Sequence, residues 1–209
     1  MKMPQVVSPV FSRVPSLARM LVATVILSTG IALVPFAKWP VEGLRWQAYA
    51  GVYEVLVNGG FENGPGVGWT ESFSHGQELI TAELPHTGQF SADECGINQC
   101  TDWIQQQITI PSNGRLTYWW YMTTQESGSP NGSPDRDRER DFLKVQVFST
   151  TGQLLATVKQ HGNRDTRNRW TMDSISLGAG AGRMVLLRFT TTTDSERPTE
   201  FYIDDVSVQ

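Results

Sequence analysis

Residues 142–159 read FLKVQVFSTTGQLLATVK. Leu143, Val145 and Val147 alternate with Lys144 and Gln146, a period of two that marks a strand with one buried face. Thr150-Thr151-Gly152 supplies a tight turn, so the stretch reads as a hairpin of strands 142–149 and 153–159. The same alternation recurs at 183–190, where Val185, Leu187 and Phe189 oppose Met184, Leu186 and Arg188. Further strand-length segments lie at 53–58, 78–84, 89–93, 102–110, 115–123, 169–176 and 200–208, separated by Gly, Pro, Asn and Asp clusters such as Pro111-Ser112-Asn113-Gly114. No stretch beyond residue 50 keeps a helical period. Antiparallel strands without helices to cover a parallel sheet predict an all-β chain, a sandwich of two antiparallel sheets.

A length of 209 residues holds one ordinary domain and a smaller attachment. Charged residues at 18% and hydrophobic residues at 39% exclude a collagen, a disordered tail and a polytopic membrane protein. Four of the 17 basic residues (Lys2, Arg13, Arg19, Lys38) precede residue 39 and no acidic residue does, which leaves 13 basic against 21 acidic in the remainder, about −8. So acidic a body repels a phosphate backbone, and nucleic acid is not expected as a partner. Residues 20–37 (MLVATVILSTGIALVPFA) carry no charge and follow a basic arm, so residues 1–38 read as a cleaved export signal or a signal anchor attaching the chain to a membrane. A connector follows at 39–52, then the sandwich domain at 53–209, which is expected to be secreted or held at the cell surface. There Cys95 and Cys100, in ECGINQC, are expected to be oxidised to each other.

The polar run 125–141 (QESGSPNGSPDRDRERD) reads as a long exposed loop. Its acids at Asp135, Asp137, Glu139 and Asp141 fail as an EF-hand loop, because Arg140 stands where the turn glycine belongs and Gln146 where the bidentate glutamate belongs. A solvated, self-paired charge run is the expectation.

The body opens on Leu56-Val57-Asn58-Gly59-Gly60-Phe61-Glu62 followed by Trp69, and closes on Phe201-Tyr202-Ile203-Asp204-Asp205-Val206-Ser207-Val208. Between them stand His86-Thr87-Gly88-Gln89-Phe90-Ser91-Ala92, Ile104-Gln105-Gln106-Gln107-Ile108-Thr109-Ile110-Pro111 and Leu116-Thr117-Tyr118-Trp119-Trp120. This progression resembles the jelly-roll β-sandwich modules of the galactose-binding-like superfamily, in particular carbohydrate-binding modules of the family 4/9/22 type and the MAM-like accessory domains of secreted metalloproteases. The resemblance implies neighbouring first and last strands and a structural Ca²⁺ between them, with Glu62 and Asp204 as side-chain ligands and backbone oxygens of the His86-Thr87-Gly88 turn, Thr87 among them, completing the set. Adjacent strand residues face opposite sides, so only one of Asp204 and Asp205 is expected to point at such a site, and the family pattern favours Asp204. The alternative is that both are ordinary exposed acids on an edge strand.

No catalytic pattern is present: no GxSxG elbow, no HExxH, no phosphate-cradling glycine loop and no paired-carboxylate glycosidase strand. His75, His86 and His161 all sit in turns or polar loops on this reading. The chain is expected not to be an enzyme. Seven tryptophans favour binding, since sugar faces stack on such rings. Strand 115–123 is apolar on both sides, with Leu116, Tyr118, Trp120 and Met122 on one and Thr117, Trp119 and Tyr121 on the other. One side is core; the other is a platform or is covered by a loop. Trp119 and Tyr121 are the candidate sugar platform, the alternative being that these rings fill the core. Two functions follow: a non-catalytic extracellular carbohydrate-binding module, or a cell-envelope structural or adhesion domain that binds a cell-surface protein or associates with itself.

Overall fold

A computed structural model describes residues 53–126 and 140–209. The N-terminal segment, the connector and residues 127–139 of the polar run, with Asp135, Asp137 and Glu139, lie outside these. Among the described residues ten strands run in chain order: β1 (Thr70–Ser72), β2 (Ile80–Thr81), β3 (Ser91–Cys95), β4 (Thr101–Thr109), β5 (Arg115–Thr124), β6 (Phe142–Ser149), β7 (Leu154–Gly162), β8 (Thr171–Ser176), β9 (Met184–Thr192) and β10 (Thr199–Val208). They form two five-stranded antiparallel sheets, sheet I in the order β1-β4-β9-β6-β7 and sheet II in the order β2-β3-β10-β5-β8. The fold is the all-β two-sheet sandwich of the jelly-roll type. Among the described residues no helix is long and apolar enough to cross a membrane.

The alternating strands set the layers. Leu143, Val145 and Val147 of β6 and Val185, Leu187 and Phe189 of β9 turn inward, and Leu116, Tyr118, Trp120 and Met122 of β5 meet them from sheet II. Phe61, Trp69, Phe201, Ile203 and Val208 complete this core. On the edge strand β7 the register skips Leu155 and Val158, and such bulges bend an exposed edge away from foreign strands.

Two sequence expectations need correction. The segment 53–58 is not a strand, because side chains take its backbone groups. Gln106 accepts from Val57 N at 2.7 Å and donates to Val57 O at 2.8 Å, while Glu54 accepts from Leu56 N and Val208 N. The segment still runs beside β10, through Val55 N to Val208 O at 3.1 Å and Val206 N to Gly59 O at 2.9 Å. A Cβ on Gly59 would collide with the Val206 carbonyl, so only glycine allows this approach. Asp141 is not a solvated charge either. It is fully buried and accepts from Thr199 Oγ1 at 2.5 Å and Asp194 N at 2.8 Å, pinning the end of the polar run to the start of β10. Burial raises its carboxyl above the usual range.

Candidate functional site

The opening and closing segments of the sandwich domain meet at the His86–Phe90 turn. Glu62 accepts from Gln89 N at 2.9 Å and Phe90 N at 3.0 Å, and Asp204 Oδ2 accepts from His86 N at 2.8 Å and Thr87 N at 3.1 Å. Gly88, at φ +67°, is required here, since a Cβ would strike the Glu62 carboxylate. Both Asp204 and Asp205 reach this turn although neighbouring strand residues ordinarily face opposite sides. The register of β10 shifts between Asp204 and Ser207, with Asp205 at φ +48°, and the bulge re-aims the second carboxylate. Asp205 therefore accepts from Thr87 Oγ1 at 2.7 Å and lies 2.7 Å from His86 Nδ1. Burial, together with the neighbouring Asp205, pushes the Asp204 carboxyl up to about 6 against the pull of the backbone N–H donors. Three carboxylates, Glu62, Asp204 and Asp205, thus share this turn with the His86 imidazole.

The two candidate platform residues lie together on the outer face of sheet II, but not bare. The ring of His86 stacks on Trp119 at 4.0 Å and 19° and meets Trp170 edge-on at 5.3 Å. Tyr121 packs between Trp170 at 5.7 Å and Tyr202 at 6.1 Å. The turn that Asp204 and Asp205 hold down thus roofs Trp119. Beside Tyr202, ligand atoms of Glu83, Asp93 and Glu200 converge within 4.8 Å, and burial and these acids push Asp93 up to about 8. This face is acidic.

Sequence reasoning passed over the outer face of sheet I. There Arg188 of β9 lies between two rings, its guanidinium carbon 4.2 Å from the Trp103 centroid on β4 and 4.3 Å from that of Phe148 on β6. Gln105 Oε1 accepts from its Nε at 3.0 Å and its Nη2 at 2.7 Å, fixing the plane. Cross-strand pairing sets Gln105, Arg188, Gln146 and Thr157 in one row and Trp103, Thr190, Lys144 and Gln160 in the next. Trp103, Phe148, Arg188, Gln105, Gln146 and Lys144 are all half-buried, with edges open to solvent. The outward alternation of β4, β6 and β9 was the available signal; the pairing of their rows was not.

His161 is not a loop residue but a buried member of β7. It stacks on Trp120 at 3.9 Å, and its Nε2 lies 3.0 Å from the Tyr118 hydroxyl and 2.8 Å from Asp173 Oδ2, tying sheet I to sheet II. Burial lowers its pKa, against the opposing pull of Asp173. Glu94, on the inner side of β3, is fully buried and burial pushes it up to about 8. Cys95 and Cys100 are joined as a disulfide.

No family model matches the chain, and no curated protein matches it significantly in sequence. Solved structures share its fold. TmCBM61, solved in complex with β-1,4-galactotriose, superposes with a TM-score of 0.52 at 13% identity, covering 75% of this chain and 98% of that one. The K3 cleaved adhesin domain of Lys-gingipain from Porphyromonas gingivalis gives 0.52 at 15% identity, over 75% and 99%. The K1 cleaved adhesin domain of the same protein gives 0.50 at 13%, over 72% and 95%. At these identities the likeness is one of fold: the chain has the β-sandwich of carbohydrate-binding modules and cleaved adhesin domains.

Proposed function

We propose that this chain is a non-catalytic carbohydrate-binding module, exported by its N-terminal segment, whose ligand lies across the outer face of sheet I. The observation that carries this reading is the Trp103–Arg188–Phe148 stack set among glutamine and threonine side chains: rigid apolar rings for sugar faces, with amides and hydroxyls spaced for sugar hydroxyls. His86 covers one face of Trp119 as Arg188 covers one face of each ring on sheet I, so the two sheets differ in what surrounds the rings: carboxylates on sheet II, amides and hydroxyls on sheet I. The fold it shares with TmCBM61 agrees with the reading. A structural Ca²⁺ held by Glu62 and Asp204 with oxygens of the Thr87 turn belongs to the proposal; it would neutralise the carboxylates there and staple the chain ends without doing chemistry. The test is tryptophan fluorescence titrated with an oligosaccharide panel. Saturable shifts lost in Trp103→Ala and kept in Trp119→Ala support the reading, and no response from the wild type overturns it.

The second reading is an adhesion domain binding a cell-surface protein or itself. It rests on Met184, Leu154 and Leu155, exposed at 57%, 47% and 45% on or beside the same sheet, and on the fold shared with the gingipain adhesin domains. Sedimentation that shows a defined oligomer, together with indifference to every glycan, favours it.

A further inference from the structure

We propose that the glycan taken by sheet I is acidic, a polysaccharide containing uronate, an inference that rests on the carbohydrate-binding reading above. Acidic strand residues are segregated between the two outer faces. Among the described residues, no Asp or Glu occupies an outward position of β1, β4, β9, β6 or β7; the charged residues there are Arg188 and Lys144. Glu71 of β1 pairs with the inward Ile104, and its carboxylate accepts from Leu79 N and Gly66 N. The outward acids gather instead on sheet II, with Asp93, Glu200, Asp204 and Asp205 on or beside its outer face, where Arg115 at the start of β5 is the basic residue. A body near −8 that keeps acids off one sheet presents a local positive field to a negative ligand.

The groups on that face suit a carboxylate on a sugar ring. Gln105 holds Nε and Nη2 of Arg188, and the two rings clamp its plane, which leaves the Nη1 edge for an anion. Lys144 stands two strands from Trp103, about 10 Å across the sheet. Its ammonium lies 5.2 Å from the Phe142 ring, and no carboxylate pairs with it among the described residues. Thr190, between Trp103 and Lys144 in the same row, keeps a buried hydroxyl oxygen without a partner. Ring, hydroxyl and ammonium thus share one row and the guanidinium lies in the next, so a sugar stacked at Trp103 brings its neighbours' carboxylates over Lys144 and Arg188.

The test measures binding of the full domain to polygalacturonate and alginate, to fully methyl-esterified polygalacturonate, and to dextran sulfate, at low and high salt, for the wild type, Lys144→Gln and Lys144→Arg. The expected result is preference for the uronate polymers, weakened by salt. Lys144→Gln should bind them about tenfold less tightly while Lys144→Arg retains binding, and the ester should be indifferent to both. Equal binding of ester and free acid, or a Lys144→Gln variant with a native melting curve and unchanged affinity for the uronates, overturns the acidic specificity and leaves the carbohydrate reading standing. Preference for dextran sulfate overturns the carboxylate assignment. If no glycan binds, charged or neutral, both readings fall.

Discussion

Glu94→Gln should stabilise the protein, and by an amount that depends on pH. Glu94 projects from β3 into the sandwich with no exposed surface, and neither carboxyl oxygen has a hydrogen-bond partner of good geometry. Desolvation dominates its environment and nearby Asp102 adds to it, so the pKa rises from 4.5 to about 8 against the weaker pull of Thr191. A carboxyl that is neutral when folded and ionised when unfolded takes up a proton on folding. Between pH 4.5 and 8 the native state therefore binds more protons than the unfolded one, and stability falls as pH rises. At pH 7 that uptake costs about 3 kcal/mol, at pH 5 under about 1 kcal/mol, and above pH 8 it levels off near about 5 kcal/mol. Glutamine has nearly the same shape and no charge to lose. Urea unfolding of both proteins at pH 5, 7 and 8.5 should give curves that nearly coincide at pH 5 and separate by up to about 3 kcal/mol at pH 7, with the variant more stable. A variant whose stability falls with pH as steeply as the wild type's, or that is less stable at every pH, refutes the reasoning. Asp93, raised to about 8, and Asp204, raised to about 6, act with the same sign, so a smaller downward slope should persist in the variant.

Gly88→Ala combines a collision with the Glu62 carboxylate and a side chain at φ +67°, and should lower stability by about 1–3 kcal/mol, read from the midpoint of thermal unfolding. Chelation tests the proposed ion: added EDTA should lower the melting midpoint and Ca²⁺ restore it, whereas an unchanged midpoint means that the backbone N–H donors of the 86–90 turn suffice for Glu62 and Asp204.

Burial of one face imprints a period of two, which is why β4, β5, β6, β8, β9 and β10 were legible within a residue or two, while the end of the edge strand β7 was placed three residues short and β1, three residues long and polar, was missed. The segment 53–58 has strand composition, yet its fate is decided by the Gln106 amide and the Glu54 carboxylate, partners that periodicity does not name. The same holds for Asp141, whose burial depends on Thr199 and Asp194, more than fifty residues away along the chain. For the candidate site, alternation separated Trp119 and Tyr121 from the core of β5 correctly, since both are half-buried and face outward. It carried no information about the His86 turn that covers one of them, because that turn is fixed by a bulge in β10. The Trp103–Arg188–Phe148 stack draws one residue from each of three strands, and only the sheet order β4-β9-β6 brings them into line.

The most direct test is ¹H–¹⁵N mapping of the indole Nε1–H signals during titration with a uronate oligosaccharide, assigned through Trp103→Phe and Trp119→Phe. The account predicts that the Trp103 signal moves and saturates while those of Trp119 and Trp170 stay in place. Movement of Trp119 and Trp170 with Trp103 unaffected would put the ligand on sheet II and contradict it.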